Sequence, residues 1–148
     1  KFSILNSNHK FFNNSNFSTA ITPTIENNQY IRDGYIAPTA TGYFDIVLDC
    51  TNTDVSFSYS IDVDYSSDHS IDDVKITGYE IDGVLYEYNN NITNSIYYND
   101  ENKIVTIKYY IEWIDDETQT MDNAQDTLAA NNGDVSFDIN VRLIQLNQ

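Results

Sequence analysis

Strict alternation of apolar and polar residues along residues 55–65 is the feature that most constrains the fold. In this stretch every second residue is apolar, and every intervening residue is Ser or Asp. Successive side chains of a β-strand point to opposite faces, so this pattern predicts a strand with one buried and one solvated face. Residues 105–113 and 135–143 repeat the pattern, and residues 43–50 alternate as well.

The alternation also predicts the side chains that two packed sheets bury. The inward phase of the three longest strands consists of Phe57, Tyr59, Ile61, Val63, Ile107, Tyr109, Ile111, Trp113, Phe137, Ile139 and Val141. Cys50 lies on the inward phase of residues 43–50, so we expect it to be a small buried hydrophobe rather than a reactive thiol. As the single cysteine, it cannot form an intrachain disulfide.

Turn signals between the apolar stretches indicate the fold class. Shorter strands are expected at residues 74–81, 84–88, 92–98 and 30–36. Asp82-Gly83 between the first two predicts a hairpin with a type I′ turn. Such signals recur about every 8 to 12 residues, which is typical of sandwiches and barrels. We predict an all-β fold, an antiparallel β-sandwich of jelly-roll type, with a long loop or a short helix around residues 122–130 before the last strand.

Residues 1–28 depart from the pattern and are interpreted as an N-terminal arm, with the sandwich domain in residues 29–148. They are rich in Asn and Ser and contain no acidic residue before Glu26. Their apolar residues are spaced irregularly. Two interpretations stay open: the arm donates a strand to a neighbouring subunit, or it forms an ordinary first strand of its own subunit.

The charge of the chain excludes several partners. Seven Lys and Arg stand against 23 Asp and Glu, which gives a net charge of −16. Nucleic acids and anionic lipids require basic clusters, and the sequence contains none.

No apolar run approaches the length of a membrane span, so we expect no membrane insertion. Aromatic residues make up 14% of the chain, which predicts a packed core rather than acidic disorder.

The sequence lacks the residue sets of common active sites. Motifs for nucleotide binding, serine hydrolysis and zinc ligation are absent. The two histidines, His9 and His69, are expected in exposed loops. We therefore expect no enzymatic activity, no cofactor and no metal requirement. The densest acidic stretch, residues 62–73, is open to calcium binding through oxygen ligands, although its spacing is not that of an EF-hand.

Several stretches together resemble one family of secreted proteins of Gram-positive bacteria. Residues 17–26 (FSTAITPTIE) and residues 36–52 (IAPTATGYFDIVLDCTN) are similar to segments near the start of its members. Residues 107–113 (IKYYIEW), the Asp-Thr pair within residues 122–127 and the last strand in residues 135–145 complete the resemblance. The family includes the biofilm-matrix fibre protein TasA and the camelysins. Three positions depart from its pattern: Thr39, Cys50 and Ile114.

This resemblance implies secretion to the extracellular matrix or cell surface, a jelly-roll sandwich and, for the TasA branch, polymerisation into fibres. The camelysin branch has been described as metalloproteases, but this sequence offers no ligand set for that activity. No signal-peptide pattern is visible in the chain.

The expected function is therefore a structural subunit whose partner is a second copy of itself. The arm would complete a neighbour's sheet, and its anchors are expected to be Phe2, Ile4, Phe11 and Phe12. Because no disulfide can reinforce the polymer, Lys1 or Lys10 is a candidate for a covalent bond to a side chain of the neighbour. A monomeric surface module that binds a glycan or a host protein is the alternative. A secreted hydrolase is a third candidate, without a supporting motif.

Overall fold

The computed structural model describes the backbone of eleven strands, β1 to β11, and their connections. The described residues are 2–4, 9–11, 16–21, 24–26, 36–51, 54–115, 133 and 135–146. The strands are Phe2–Ile4 (β1), His9–Phe11 (β2), Asn16–Ile21 (β3), Thr24–Ile25 (β4), Thr41–Asp49 (β5), Phe57–Tyr65 (β6), Val74–Ile81 (β7), Val84–Glu87 (β8), Asn91–Ile96 (β9), Ile104–Trp113 (β10) and Phe137–Gln145 (β11). No described residue is helical.

These strands form two antiparallel sheets. The larger sheet has seven strands in the order β2-β1-β5-β10-β7-β8, with β4 also paired to β5. The smaller sheet has four strands in the order β3-β11-β6-β9. Consecutive strands therefore often lie in different sheets, as β5 and β6 do, and β8 and β9 do.

The strands form where the apolar and polar residues alternate, because one face of each sheet packs on the other. Buried and solvated positions alternate along β6 and along β11. Every side chain that the alternation assigned to the core is buried, from Phe57 to Val141. The predicted all-β sandwich is thus confirmed, and the predicted strand boundaries agree with the observed ones within about two residues for the four longest strands.

Aromatic rings join the two sheets at the centre of the core. Phe44 on β5 stacks on Phe137 of β11, with the ring centroids 5.2 Å apart. Within the larger sheet, Phe44 also stacks on Tyr109 of the neighbouring strand β10, with the ring centroids 5.0 Å apart. Direct contact between the inward faces of the two sheets is the packing that a sandwich requires.

The hairpin between β7 and β8 has the turn that its sequence predicts. Asp82 and Gly83 both have positive φ angles, 51° and 81°. Positive φ at both central positions matches a type I′ turn, whose twist suits two paired strands. The pairing of β10 with β7 shifts between Tyr110 and Ile111, which marks a β-bulge.

Two expectations concern parts of the chain outside this description. The loop or short helix around residues 122–130 lies wholly outside the described residues. So does the strand expected at residues 30–36, apart from Ile36, which is described and is not in a strand.

Candidate functional site

The first two strands carry most of the residues predicted to act in assembly. Phe2 and Ile4 lie on β1, and Phe11 lies on β2, opposite Phe2. Lys10 also lies on β2 and pairs in register with Ser3. The backbone thus brings these residues together in one short hairpin-like pair, whereas Lys1 and Phe12 lie outside the described residues.

In the single chain this pair of strands lies on the edge of its own β5. Ser3 pairs with Asp49, and Ile4 pairs with Leu48. The ladder therefore spans only two residues of β1 at one end of a nine-residue strand. In a single chain, this pairing corresponds to the interpretation that the arm forms strands of its own subunit. Strand donation would require a second chain whose β5 accepts β1.

The rest of residues 1–28 contains two further strands. β3 pairs with β11 along six consecutive positions, from Ile21 opposite Phe137 to Asn16 opposite Arg142. β4 pairs with β5 at two positions. The sandwich therefore includes strands from the region that the sequence assigned to the arm, and β3 is tied to its sheet by a ladder three times as long as that of β1.

The opposite edge of the larger sheet, β8, is apolar and exposed. All four of its residues are exposed, including Val84, Leu85 and Tyr86. Among the described large hydrophobic residues, Leu85 is the most exposed, at 69%. Exposed apolar strands at a sheet edge are sites where other molecules add, so β8 is a second candidate surface.

Sequence reasoning missed a group of tyrosines that the fold gathers beside β8. Tyr65, Tyr79, Tyr86 and Tyr88 line one cleft of about 580 Å³, together with Asp64, Glu87 and the amides of Asn89 and Asn90. We call this the tyrosine cleft. In the sequence these tyrosines are spread over 24 positions in three predicted strands, residues 55–65, 74–81 and 84–88. Two local signals pointed to parts of it: the Asp82-Gly83 turn, which pairs Tyr79 with Tyr86 across the hairpin, and the turn-forming residues 89–91 after β8.

His69 is not the exposed loop residue that the sequence predicts. Its side chain is half-buried, and its ring lies 5.3 Å from that of Phe137. The Ser136 N–H donates to Nδ1 at 3.2 Å, so Nε2 carries the proton and donates to the Val74 carbonyl at 3.1 Å. Burial lowers the pKa of His69. The prediction was wrong because sequence offers no sign that the turn holding His69 folds over the end of the core.

Cys50 is the buried hydrophobe that its phase predicts. No part of its surface is exposed. Burial, with a smaller contribution from the nearby Asp49 carboxylate, raises the pKa of its thiol to about 12. The thiolate, which is the reactive form, is therefore scarce at neutral pH.

The aspartates of residues 62–73 do not form a metal site in the described part of the chain. Among those residues no group of three His, Cys, Asp or Glu side chains is arranged to hold a metal ion. Asp62 and Asp64 lie on the solvated phase of β6, and Asp62 accepts a hydrogen bond from the Asn91 side chain. Asp73, by contrast, is buried. Alternation along β6 and the turn that follows thus separate these carboxylates.

Comparison with known proteins adds no relative. No family model, curated protein or solved structure matches this chain. Within the described residues, no helix has the length and apolar character that crossing a membrane demands.

Proposed function

We propose that this chain is a structural subunit of an extracellular bacterial biofilm-matrix fibre, which polymerises head-to-tail by donating its N-terminal strands to the next subunit. The resemblance to the TasA and camelysin family supports the class of protein. The arrangement of the N-terminal strands supports the mode of assembly, and it is the observation that carries the proposal.

The contrast between β1 and β3 divides the N-terminal region into a part that can leave and a part that stays. β1 pairs with β5 over two positions, whereas β3 pairs with β11 over six. Fewer ladder hydrogen bonds have to be given up when β1 and β2 leave. β3 remains as the anchor, so a chain that donates its first twelve residues keeps its smaller sheet intact.

Exchange with a neighbour conserves the contacts that one chain makes with itself. If β1 of one copy pairs with β5 of the next at the same register, each subunit regains the ladder that it lost. Every copy then gives one pair of strands and receives another. Because the giving and receiving surfaces differ, the contact is heterologous and need not close, which produces a filament rather than a dimer.

Charge favours the same exchange. Residues 1–25 contain Lys1 and Lys10 and no acidic residue, whereas all 23 acidic residues lie in residues 26–148. Two acidic bodies repel each other, but a body attracts the basic segment of its neighbour. Burying one Phe or Ile contributes about 1.5–3 kcal/mol, so withdrawing the four anchors from the neighbour into water would be costly, which makes the non-covalent junction firm once it has formed.

A disulfide between β1 and β5 tests the proposal directly. Paired residues in an antiparallel ladder have Cα atoms about 4.5–5.5 Å apart, which falls within the range for a disulfide. We would introduce Ser3→Cys and Asp49→Cys into a Cys50→Ala background and oxidise the assembled protein. Strand donation is expected to give a covalent ladder of multimers on non-reducing gels.

The possible results separate the parts of the proposal. Fibres that contain only intrachain disulfides would show that β1 stays in its own subunit, and assembly would then require another surface. Protein that remains monomeric at all concentrations and in all buffers would rule out the fibre function. As a matched control, each single cysteine variant should give no ladder.

Removal of the arm gives a second test. Deleting residues 1–12 should abolish fibres in negative-stain micrographs and leave folded monomers. Replacing Phe2, Ile4, Phe11 and Phe12 by Ser, which keeps the length of the arm, should have the same effect. Normal fibres from either variant would contradict the assigned role of the arm.

A further inference from the structure

The tyrosine cleft lies where the chain crosses from one sheet to the other. β8 ends at Glu87 in the larger sheet, and β9 begins at Asn91 in the smaller one. The crossing closes the corner of the sandwich, because the hydroxyl of Tyr88 donates to the carbonyl of Val63 on β6 at 2.7 Å. The cleft therefore belongs to the rigid frame of the two sheets rather than to a single loop.

One wall of the cleft is a supported aromatic surface. The rings of Tyr79 and Tyr86 stack with their centroids 5.1 Å apart and an interplanar angle of 16°. Tyr79 in turn packs on the buried Tyr109 at 5.8 Å. Tyr86 nevertheless remains 45% exposed. A flat ring that is held from behind and open in front offers apolar contact area without losing much conformational entropy on binding.

The hydroxyl groups of the other two tyrosines are already engaged in the fold. Tyr88 donates to Val63, and burial raises the pKa of Tyr88 to about 12, so its hydroxyl remains a donor across the physiological range. The Tyr65 hydroxyl accepts a hydrogen bond from the Ile76 N–H at 3.1 Å. Both rings are thus fixed before any ligand arrives, and the cleft is preorganised.

The polar groups at the rim include both acceptors and donors. Asp64 and Glu87 contribute exposed carboxylates, and Asn89 and Asn90 contribute exposed amides. Asn89 uses its Oδ1 to accept from the Asn91 N–H at 3.1 Å, which directs its NH₂ donors elsewhere. A hydroxyl group both donates and accepts, so carboxylates and amides around one aromatic surface suit a ligand with many hydroxyl groups.

Charge narrows the class of ligand further. Two carboxylates line the cleft, and among the described residues the one ammonium group over a lining ring is that of Lys75, 5.4 Å from the centroid of the Tyr65 ring. Acidic sugars and phosphates would therefore be repelled. A quaternary ammonium ion would be attracted, but such ions are bound in aromatic cages, and they make no use of amide donors. The Tyr86 ring is too exposed to form a closed cage.

We propose that the tyrosine cleft binds a neutral saccharide, whose C–H face packs on Tyr86 and whose hydroxyl groups bond to Asp64, Glu87 and the neighbouring amides. This site is separate from the strands that assemble the fibre, so it does not depend on the assembly being correct. A fibre with one such cleft in each subunit would bind polysaccharide at many points, and avidity would turn weak single sites into firm attachment.

Isothermal titration of the full chain with neutral oligosaccharides tests this inference. The probes are tetrasaccharides of glucose, mannose and N-acetylglucosamine at millimolar concentration, with a tetrasaccharide of galacturonic acid and choline for comparison. We expect at least one neutral probe to bind and both comparison ligands to fail. Tyr86→Ala should weaken that binding tenfold or more, since truncating a central aromatic anchor commonly costs this much.

Two further variants make the result decisive. Tyr98→Ala removes another exposed tyrosine, 59% exposed and not among the residues that line the cleft, and should leave binding unchanged. Glu87→Gln preserves the shape of the cleft and should also weaken binding. It therefore provides the test if Tyr86→Ala fails to fold. Three results would each overturn the inference, whether or not fibres form. They are the absence of binding heat with every neutral probe, equal binding by Tyr86→Ala and wild type, and a preference for choline.

Discussion

Tyr109 and Tyr88 place their hydroxyl groups in opposite situations. The Tyr109 hydroxyl is fully buried, and no described residue offers it a hydrogen-bond partner. The Tyr88 hydroxyl donates to the Val63 carbonyl. A buried polar group without a partner costs about 1–3 kcal/mol, whereas a satisfied one contributes about 1 kcal/mol.

Replacing each tyrosine by phenylalanine should therefore have opposite effects. Tyr109→Phe is expected to leave the free energy of unfolding unchanged or to raise it by up to about 1 kcal/mol, and Tyr88→Phe to lower it by about 1 kcal/mol. Urea titrations monitored by the fluorescence of Trp113 would measure both. A clear loss of stability in Tyr109→Phe would show that its hydroxyl has a partner elsewhere in the chain.

His69 should make stability decrease as the pH falls through about 6.5, the ordinary pKa of a histidine. Its Nδ1 accepts from the Ser136 N–H, and that bond is lost when the ring is protonated. Burial and the nearby Lys75 hold the pKa below 6.5, outweighing the Val74 carbonyl and Asp72. Well above pH 6.5 the ring is neutral in both the folded and the unfolded state. As the pH falls below 6.5 the unfolded chain binds the proton first, so stability decreases until the pH passes the folded-state pKa.

The measurement is a series of urea unfolding curves at half-unit pH steps. The protein should carry His9→Gln as a background, so that His69 is its single histidine. Adding His69→Gln should flatten the curve of stability against pH between 7 and 5. The same decrease in both proteins would assign the effect to other groups.

At the scale of strands, Gly78 controls how closely β8 approaches β7. A Cβ atom at this position would lie 2.6 Å from the carbonyl oxygen of Tyr86, which is backbone and cannot move alone. Gly78→Ala should therefore displace β8 and lower stability by about 1–3 kcal/mol. Since Tyr86 moves with β8, the same variant should also weaken saccharide binding.

The neighbouring Thr77→Ala is the matched control for this substitution. Thr77 is exposed, and its hydroxyl makes only a long contact of 3.4 Å to the Tyr110 carbonyl. Thermal unfolding of this variant should differ from wild type by no more than about 0.5 kcal/mol. If Gly78→Ala is equally mild, the edge strand can shift at little cost.

The period-two alternation correctly predicted the strands and which of their faces are buried, because the polarity of each residue indicates the face on which it lies. It predicted β6, β10 and β11 together with their inward side chains. It did not predict the order of strands, because the same pattern fits any neighbour: nothing in β10 indicates that it lies between β5 and β7. For residues 1–28 it left a strand of the same subunit open as an alternative but did not locate β3, because the Asn- and Ser-rich sequence lacks the alternation and only the ladder with β11 defines the strand.

On the scale of the whole molecule, the tyrosine cleft could not be predicted either, because the alternation does not show which strands become neighbours. Tyr79 and Tyr86 are paired across the β7–β8 hairpin of the larger sheet, but Tyr65 lies on β6 of the smaller sheet and joins them only through the packing of the two sheets. The sequence could show that the chain has many tyrosines, but not that four of them share a corner. The cleft also connects the two functions weighed from the sequence, since a fibre subunit that binds glycan would perform both.

A covalent junction in the proposed fibre would involve Lys1 or Lys10. The single cysteine is buried, so disulfides cannot join native subunits, and donated Lys1 or Lys10 would lie beside an acidic neighbour. A neutral lysine amine can attack a carboxyl or amide side chain to form an amide, releasing one water or one ammonia. Burial among apolar anchors favours the neutral amine, and a neighbouring acid can carry the proton.

Boiling fibres in SDS and weighing the products decides between the two kinds of junction. A covalent fibre should give a ladder in which each junction has lost one water or one ammonia. Lys10→Arg keeps the positive charge but removes the amine, so it should abolish the ladder if Lys10 forms the bond, and Lys1→Arg tests the other lysine in the same way. Complete collapse to intact 17.0 kDa monomers would show that the donated strands alone hold the subunits together.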